Sequence, residues 1–443
     1  MSFPRDFTWG AATAAYQIEG ATSVDGRGES IWDRFCSIPG NVANGDSGDP
    51  ACEHYYRWRD DLELMGSLGL QAYRFSISWP RIQPDGRGPA NPKGLDFYRR
   101  LAEGLLERGI TPLATLYHWD LPQSLQDEGG WVTRETADRF VDYAQLVFAE
   151  LGDVVEAWVT HNEPWVTAFL GYGYGTKAPG LRDWRAALAA SHHLLLSHGR
   201  AVSAFRSGGR AGSIGITLDL TQVYGDAQSA RRLDGHRNRW FLDPVLRGGY
   251  PADTVDLYEE RVGPLDFIRP GDLEEIAQPI DFLGVNFYQP AVVQPGDDGP
   301  LGLELLPADG RQTAMGWRVE PDSLTALLMR LARDYGRLPL VITENGASFD
   351  DPPVDGTGVV EDPDRLAYLR EHVAAVERAI EAGVDVRGYY VWSLFDNFEW
   401  EHGYASRFGI VHIDFETQRR TPKRSALWYR DLIADQANGD GRG

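Results

Sequence analysis

Short apolar runs alternate with amphipathic helical segments along the chain. The run at 339–343 contains apolar and β-favouring residues without a polar break, which predicts a strand buried on both faces. It is followed by Glu344 and by an Asn-Gly dipeptide that predicts a turn. Similar runs recur, and together they predict eight strands, at 7–15, 71–78, 110–117, 154–160, 213–220, 280–288, 341–343 and 387–394.

Helical stripes separate these runs. Leu62, Met65 and Leu68 lie on one predicted helical face that ends at Gly69, and comparable stripes fall within 95–105, 140–151, 324–331 and 366–380. Eight successive strand-helix units close most naturally into a parallel barrel. We therefore predict an α/β fold, a single (β/α)8 TIM barrel, with residues 1–443 forming one catalytic domain.

Two stretches interrupt the alternation, at 292–312 and 350–363. Both are rich in Gly, Pro and Asp and lack a strand pattern, so we interpret them as insertions. In a barrel of this type, long loops after the strands form the C-terminal face, where ligands bind. We expect these extended loops to surround the mouth of the barrel.

The amino-acid composition argues against some classes of binding partner. A 443-residue chain with 42% hydrophobic residues buries a large core, and a net charge of −22 argues against nucleic-acid binding. No apolar run reaches the length that a membrane span needs, and no signal-peptide pattern precedes 7–10, so we expect a cytoplasmic protein without membrane contact. The oligomeric state is left open, with a homo-oligomer among the alternatives.

Metal and disulfide chemistry find little support. Cys36 and Cys52 form no CxxC motif, and we interpret them as reduced thiols. His192, His193 and His198 fall in one helical stretch, but no zinc-ligand spacing completes a site, so packing is the better interpretation. We predict no bound metal.

Polar and aromatic residues collect where the predicted strands end. Two carboxylates stand out: Glu163 follows strand four next to Asn162, and Glu344 follows strand seven. Any one such residue could be a surface group. As a set, converging carboxylates, amides, an imidazole and indoles match what glycoside hydrolysis requires: a proton donor, a nucleophile, hydroxyl-binding groups and apolar platforms. The other members of the set are His118, Trp119, Asn286, Tyr288, Trp392, Glu399 and Trp400.

With these residues identified, the sequence resembles glycoside hydrolase family 1, the β-glucosidase family. Asn162-Glu163-Pro164 alone is a weak match, but it becomes specific when it is joined to the motif at 342–346. Further matching segments extend the resemblance over nearly the whole chain, at 7–10, 17–20, 73–79, 396–400 and 407–409. The resemblance implies a retaining mechanism on a small-molecule β-glycoside, in a (β/α)8 barrel that uses no metal or organic cofactor.

The resemblance also implies individual roles. Glu344 would be the nucleophile and Glu163 the acid/base, with their carboxyl groups about 5 to 5.5 Å apart. Arg74 would keep Glu344 ionised by charge pairing. Asn162 would bind the sugar 2-hydroxyl, and Tyr288 would steady the nucleophile.

The implied substrate-binding set surrounds these residues. Trp392 resembles the stacking floor of the family, and Trp317 resembles the aromatic residue at the leaving-group entrance. The complete set is Gln17, His118, Trp119, Asn162, Asn286, Tyr288, Trp317, Trp392, Glu399, Trp400 and Phe408. His161 departs from the usual pattern before the Asn-Glu pair; we expect its side chain to point away from the sugar, and an influence on the pH behaviour of Glu163 stays open.

Three functions follow from this reasoning. The leading one is a retaining exo-β-glucosidase acting on cello-oligosaccharides or aryl β-glucosides, with β-galactosides and β-fucosides as further substrates and cellulose degradation as a setting. The second is a 6-phospho-β-glucosidase or a transglycosylase of the same family; Glu399-Trp400 and Arg407-Phe408 favour non-phosphorylated sugars. The third is a non-catalytic sugar-binding barrel, which the presence of both glutamates disfavours.

Overall fold

The computed structural model describes residues 3–209, 211–297, 299–354 and 358–438. In chain order the strands are β1 (Thr8–Ala12), β2 (Ala72–Ser76), β3 (Thr111–Tyr117), β4 (Ala157–Asn162), β5 (Ser213–Asp219), β6 (Val223–Gly225), β7 (Phe282–Asn286), β8 (Ala291–Pro295), β9 (Leu303–Leu305), β10 (Leu340–Asn345), β11 (Val386–Trp392), β12 (Val411–Ile413) and β13 (Arg420–Pro422). Eight of them form a closed barrel in the order β1-β2-β3-β4-β5-β7-β10-β11, with every neighbouring pair parallel. The predicted (β/α)8 fold is confirmed.

Helices connect the strands over the outside of the barrel. The α-helices are α1 (Ala15–Ile18), α2 (Ile31–Cys36), α3 (His54–Ser67), α4 (Trp79–Ile82), α5 (Pro92–Leu106), α6 (Gln123–Asp127), α7 (Arg134–Leu151), α8 (Trp184–Ser207), α9 (Ala227–Asp234), α10 (Trp240–Arg247), α11 (Ala252–Arg261), α12 (Asp272–Ile276), α13 (Pro321–Tyr335), α14 (Pro363–Glu381) and α15 (Arg424–Asn438). The described residues also contain two π-helical segments and three 3₁₀ turns. The π-helical segments are Val166–Gly173 and Gly235–Arg239, and the 3₁₀ turns are Ala43–Gly45, Gly130–Val132 and Trp400–His402.

The apolar stripes behave as the sequence predicts. In α5, Tyr98, Leu101 and Leu105 are buried against the barrel, and the chain leaves the helix through Gly109 at φ +70°. The main apolar core lies between the strands and the helices. A second, smaller core fills the barrel interior and reaches up to Trp392 and Phe408.

Strand β10 is buried as predicted but is longer. It ends at Asn345, two residues beyond the predicted 343, so Glu344 belongs to the strand itself. The predicted Asn-Gly turn is wrong. A Cβ on Gly346 would stand 1.6 Å from the carbonyl oxygen of Trp392, so glycine is needed here for close backbone approach to the end of β11.

The stretch 292–312 corrects another expectation. It contains most of β8 and all of β9, which form a small three-stranded sheet with β6 outside the barrel. β8 and β9 form a short antiparallel hairpin, and β8 also pairs with β6 about seventy residues away, as at Val223↔Ala291. The strands have only three to five residues, too few for an alternating pattern to predict them. The prediction of an insertion beside the barrel mouth holds, whereas the absence of strands does not.

The second insertion, 350–363, has no helix or strand within 350–354 and 358–362, and α14 begins at Pro363; 355–357 lie outside the described residues. Buried ion pairs fasten this region. Arg365 contacts Asp351 at 2.6 Å, and Lys423 contacts both Asp351 at 2.5 Å and Asp396 at 2.7 Å. The loops that follow β10 and β11 are therefore joined through shared buried charges.

The described helices include none with the length and apolar character needed to cross a lipid bilayer.

Candidate active site

A cavity of about 1180 Å³ opens at the carboxyl ends of the barrel strands. Gln17, Arg74 and Asn162 are buried beside it and are not among its lining residues. The other predicted site residues do line it: His118, Trp119, Glu163, Asn286, Tyr288, Trp317, Glu344, Trp392, Glu399, Trp400 and Phe408. The structure thus brings the two glutamates and the predicted sugar-binding set to one place.

Glu344 is buried between a cation and a hydroxyl group. The Arg74 guanidinium donates to Oε1 at 2.5 Å, and the Tyr288 hydroxyl donates to Oε2 at 2.6 Å. Burial raises the pKa of the Glu344 carboxyl, while Arg74 and Tyr288 oppose this rise because they stabilise the carboxylate. Both oxygens are held, so the carboxylate is fixed in orientation.

Glu163 occupies a different environment. It follows β4 with φ +48°, a left-handed backbone conformation that is costly for a non-glycine residue and occurs preferentially at functional sites. Asn286 donates to its Oε1 at 2.7 Å. Burial, then the charge of Glu344, raises the pKa of Glu163 well above its ordinary range, so this carboxyl retains its proton to higher pH than a surface glutamate.

Asn162 connects the two halves of the site. Its Oδ1 accepts from Arg74 at 2.6 Å and from Asn286 at 3.1 Å, which leaves its Nδ2 to donate to His118 Nε2 at 3.1 Å. His118 therefore carries its proton on Nδ1. Burial lowers the pKa of His118 well below its ordinary value, so the neutral ring presents one N–H donor.

Several buried polar atoms at this end of the barrel have no protein partner. Among them are Nδ1 of His118, Oε1 of Gln17 and Oε2 of Glu399. The Gln17 amide nitrogen is already used, since it donates to the Phe398 carbonyl at 2.9 Å and to Asn397. Buried donors and acceptors of this kind need partners, and the hydroxyl groups of a sugar supply both kinds.

Aromatic rings form the apolar surfaces of the cavity. Trp392 lies nearly parallel to the His118 ring at 5.9 Å, and Trp400 lies 4.5 Å from Trp119 between ring centroids. The Trp119 indole N–H is donated to the Asn162 carbonyl at 3.0 Å, so this residue offers ring surface rather than a hydrogen bond. On another side of the cavity, the Trp317 ring packs against the rings of Tyr288 and Phe408 and lines the cavity wall.

His161 points away from the cavity, as predicted. Its ring stacks on Phe140 at 4.4 Å, and its Nε2 lies 2.8 Å from the hydroxyl of Ser197 on α8. Burial lowers its pKa well below the ordinary value, which keeps it neutral. The charges that shift the pKa of Glu163 come from other residues, namely Glu344, Asp219 and Arg74.

Sequence reasoning missed several residues of the cavity wall, among them Asp219, Arg237, Trp165 and Lys177. Asp219 was within reach, because it stands at the carboxyl end of β5 and the strand-end rule that selected Glu163 and Glu344 selects it too. Arg237, Trp165 and Lys177 lie farther from the strand ends, on loops and helices whose path no local sequence pattern predicts.

The helical histidines are packing residues. His192 contacts Asp272 at 2.8 Å, His193 contacts the Trp131 carbonyl, and His198 contacts Thr160. Within the ranges that the structure describes, no group of three or more His, Cys, Asp or Glu side chains is placed to hold a metal ion.

Comparison with known proteins agrees with this geometry. The model of glycosyl hydrolase family 1 matches residues 1–438. β-Glucosidase A of Acetivibrio thermocellus is 48% identical over 444 residues, with 98% of each chain covered, and the bifunctional β-D-glucosidase/β-D-fucosidase of Bifidobacterium breve is 48% identical with 99% of each covered. The crystal structure of the AHE enzyme from Alicyclobacillus herbarius superimposes with a TM-score of 0.97 at 52% identity, covering 100% of this chain and 99% of that chain.

The chain belongs to glycosyl hydrolase family 1, as its sequence motifs predict. The protein is a glycoside hydrolase, and the class predicted from the sequence, a retaining β-glycosidase, is confirmed.

Proposed function

We propose that this enzyme is a β-glucosidase that releases β-D-glucose from the non-reducing end of its substrates, with Glu344 as nucleophile and Glu163 as acid/base. One observation carries the proposal: two buried carboxyl groups face one cavity in opposite environments. Glu344 has a cation and a hydroxyl donor on its oxygens, whereas burial and a neighbouring negative charge hold the proton on Glu163. Such a difference assigns an ionised and a protonated role.

In the first step, the Glu344 carboxylate attacks the anomeric carbon while Glu163 protonates the glycosidic oxygen. The bond from this oxygen to the sugar breaks, the leaving group departs as an alcohol, and a glycosyl-enzyme ester forms. Arg74 and Tyr288 orient the attacking carboxylate. We assign to Asn162, which Arg74 holds, the hydrogen bond to the 2-hydroxyl, a contact that strengthens in the transition state.

In the second step, Glu163 is ionised and acts as a base. It removes a proton from water, the water oxygen attacks the anomeric carbon, and Glu344 leaves as a carboxylate. The two displacements together retain the β-configuration. Loss of the Glu344 charge in the ester lowers the pKa of Glu163 during this step, because that charge is one cause of its raised pKa in the free enzyme.

The unpartnered atoms of Gln17, His118 and Glu399 support a sugar-binding role. A site with buried polar atoms of fixed direction rejects sugars whose hydroxyl groups point elsewhere. Trp392 and Trp400 supply flat apolar surface beside them. Because two relatives are named for β-glucoside hydrolysis and one of them also for β-fucoside hydrolysis, we propose β-glucosides, including cello-oligosaccharides, as the main substrates and β-fucosides as a secondary class.

A phosphorylated sugar is a poorer fit. Burial raises the pKa of Glu399 to about 8, so its charge repels phosphate less than a free carboxylate would. The cations near it already form ion pairs and so are not free to bind phosphate. Lys177 contacts Glu401 at 2.6 Å, and Arg407 contacts Asp396 at 2.8 Å. Binding a phosphate would require breaking one of these ion pairs.

The test is hydrolysis of p-nitrophenyl glycosides (β-glucoside, β-galactoside, β-fucoside, α-glucoside and 6-phospho-β-glucoside), with the first product anomer followed by NMR. We expect cleavage of the β-glucoside with the β-anomer appearing first. Exclusive cleavage of the 6-phospho substrate would reassign the substrate, a first α-anomer would contradict retention, and no cleavage at all would favour the sugar-binding alternative.

We also propose that the enzyme works in the cytoplasm. Cys36 and Cys52 are both free thiols in the structure, and unpaired cysteines are typical of a reducing compartment.

A further inference from the structure

The carboxylate of Asp219 is an unused polar group in the cavity wall. Asp219 ends β5, which pairs with β4, the strand that Glu163 follows, and the residue is only 8% exposed. Arg237 donates to its Oδ2 at 2.7 Å, whereas Oδ1 has no protein partner. A buried carboxylate oxygen left without a donor is costly unless water or a ligand supplies one.

Arg237 is held in an equally specific way. Its guanidinium lies 3.7 Å from the ring centroid of Trp165, and its buried Nε also lacks a protein acceptor. Trp165 is fixed in turn, because its indole N–H donates to His236 at 2.9 Å. Asp219 and Arg237 thus form a rigid pair that has one free acceptor and one free donor, in the wall of the cavity that holds the glutamates.

The position of this pair around the barrel defines which part of the substrate it meets. Three of the sugar-binding groups have unpartnered buried atoms: Gln17 follows β1, His118 follows β3, and Glu399 follows β11. All three lie on the side of Glu163 that is away from β5. Asp219, on β5, lies on the other side. The acid/base contacts the glycosidic oxygen, which belongs to the leaving group, so the wall beyond it faces the leaving group.

The chemistry of the pair selects a class of leaving group. A carboxylate acceptor next to a guanidinium donor matches vicinal hydroxyl groups, which both donate and accept. Burial raises the pKa of Asp219 to about 6, while Arg237 opposes the rise, so the acceptor is ionised at neutral pH. An aryl or alkyl leaving group without hydroxyl groups would leave Oδ1 of Asp219 and Nε of Arg237 without partners.

We propose that Asp219 and Arg237 bind hydroxyl groups of a sugar leaving group and make the enzyme selective for β-linked disaccharides over glucosides of simple alcohols. The inference rests on the proposed β-glucosidase activity and adds the specificity of the leaving-group side. It concerns substrate binding, since neither residue contacts the reacting carbon in the proposed mechanism.

The test compares Asp219→Ala and Asp219→Asn with the wild type on cellobiose and on cyclohexyl β-glucoside. Both substrates need the proton of Glu163, but only cellobiose offers hydroxyl groups on the leaving side. At the pH optimum of each protein, we expect kcat/KM for cellobiose to fall about 10- to 100-fold in the Ala variant, with a smaller loss in the Asn variant. The value for the cyclohexyl glucoside should stay within about threefold.

Equal losses on both substrates would overturn the proposal, because they would show that Asp219 acts through the proton of Glu163. Unchanged kinetics on both would overturn it as well. A matched control is Asp322→Ala, which removes a carboxylate from an exposed Asp-Arg pair and should leave both rates as they are. Wild-type turnover of p-nitrophenyl β-glucoside tests the proposed activity separately, so failure of one statement is distinguishable from failure of the other.

A second readout uses the glycosyl-enzyme. With p-nitrophenyl β-glucoside as donor and added glucose as acceptor, a sugar bound at Asp219 and Arg237 is placed to replace water as the attacking group. The wild type should form disaccharide, and Asp219→Ala should form several-fold less relative to hydrolysis. An unchanged ratio of transfer to hydrolysis would contradict acceptor binding by this pair.

Discussion

At the scale of single residues, the two glutamates differ in what touches their oxygens. Glu344 is bonded at both oxygens by Arg74 and Tyr288, and Glu163 receives one amide hydrogen bond from Asn286. The same side chain therefore serves two chemical roles. This difference can be tested by removing each carboxyl group in turn. The measurement is the face of the sugar from which a small anion then attacks.

Glu344→Ala should lower kcat on an activated aryl β-glucoside at least about a thousandfold, since the covalent step is lost. Added azide should restore part of the rate by occupying the vacated space. Attack from that face inverts the anomeric centre, so the product should be α-glucosyl azide, identified by NMR.

Glu163→Ala is the matched variant. It should retain the glycosyl-enzyme step for activated leaving groups and lose about 10²- to 10⁴-fold where a proton must be donated. Azide then attacks the glycosyl-enzyme from the opposite face, so the product should be β-glucosyl azide. The same anomer from both variants, or activity in Glu344→Ala without azide, would contradict the assigned roles.

Much of the site was predictable from residue type and strand position. Glu163, Asn286 and Glu344 end strands in the sequence and meet in the structure. The hydrogen-bond partner of Trp119 was not predictable, because a donor such as an indole N–H bonds whichever acceptor the fold supplies. Here the acceptor is the Asn162 carbonyl, which leaves only ring surface for a ligand.

At the scale of elements, buried charges fasten the loops after β10 and β11. Lys423 contacts Asp351 and Asp396, and Asp396 also accepts from the backbone N–H of Gly409 at 3.0 Å. The loop after β11 carries Glu399, and Gly409 adjoins Phe408 of the cavity wall. The ion pairs of Lys423, Asp351 and Asp396 therefore lie behind the substrate-binding part of the site and support it.

Lys423→Met should destabilise the protein by about 3 to 5 kcal/mol, because it leaves two buried carboxylates with less positive charge. KM for p-nitrophenyl β-glucoside should rise, since the loop bearing Glu399 loses an attachment. Urea unfolding and steady-state kinetics measure the two effects. Lys93→Met, which breaks an exposed contact with Asp25, is the control and should cost below about 1 kcal/mol; an equally small loss for Lys423→Met would contradict a supporting role of its ion pairs.

Elements were predictable where the local pattern is strong. All eight barrel strands coincide with predicted runs, because strands buried on both faces are largely apolar, even though β2 also carries the buried Arg74. Their ends were less accurate: β4 begins at Ala157 and not at 154, and β10 continues through Asn345. The small sheet of β6, β8 and β9 escaped prediction because its strands have only three to five residues and because β6 pairs with β8 from a distant segment. Gly346 was misinterpreted because close packing and turn formation both favour glycine.

At the scale of the whole molecule, the proposal that residues 1–443 form one domain stays a prediction. The described residues include many buried titratable groups, which lie throughout the barrel. Burial lowers the pKa of seven of the ten histidines, namely His118, His161, His192, His193, His198, His236 and His372. Burial raises the pKa of five carboxyl groups, namely Asp120, Glu163, Asp219, Glu344 and Glu399.

These two sets act on stability in opposite directions as the pH falls. Below about pH 6.5 the unfolded chain protonates its histidines, whereas the folded protein keeps the seven buried ones neutral, and stability is lost. The five carboxyl groups keep protons in the folded state that the unfolded chain releases down to about pH 4, which offsets part of the loss. Because histidines outnumber carboxyl groups, the unfolded state still binds more protons and stability falls toward pH 5.

Above about pH 7 the histidines are largely neutral in both states, and up to about pH 8 the buried carboxyl groups are the main contributors. The pKa of Asp120 and that of Glu399 are each raised to about 8, so the folded protein holds protons that the unfolded chain lacks, and stability falls as the pH rises through this range. Carboxylates with lowered pKa values, such as Asp253 at about 2, contribute only below about pH 4. The protein should therefore be most stable near pH 6.5.

Urea-unfolding midpoints measured from pH 5 to pH 8.5 check this expectation. On the acid side we expect the midpoint to fall toward pH 5, because each histidine that is protonated only in the unfolded chain contributes up to about 1.4 kcal/mol per pH unit. Glu399→Gln should flatten the alkaline side, because the amide has no proton to release, and should steepen the acid side, because one of the carboxyl groups that offset the histidines is removed. A midpoint that rises steadily to pH 8.5, or an alkaline slope that Glu399→Gln does not reduce, would show that these buried carboxyl groups are ionised in the folded enzyme.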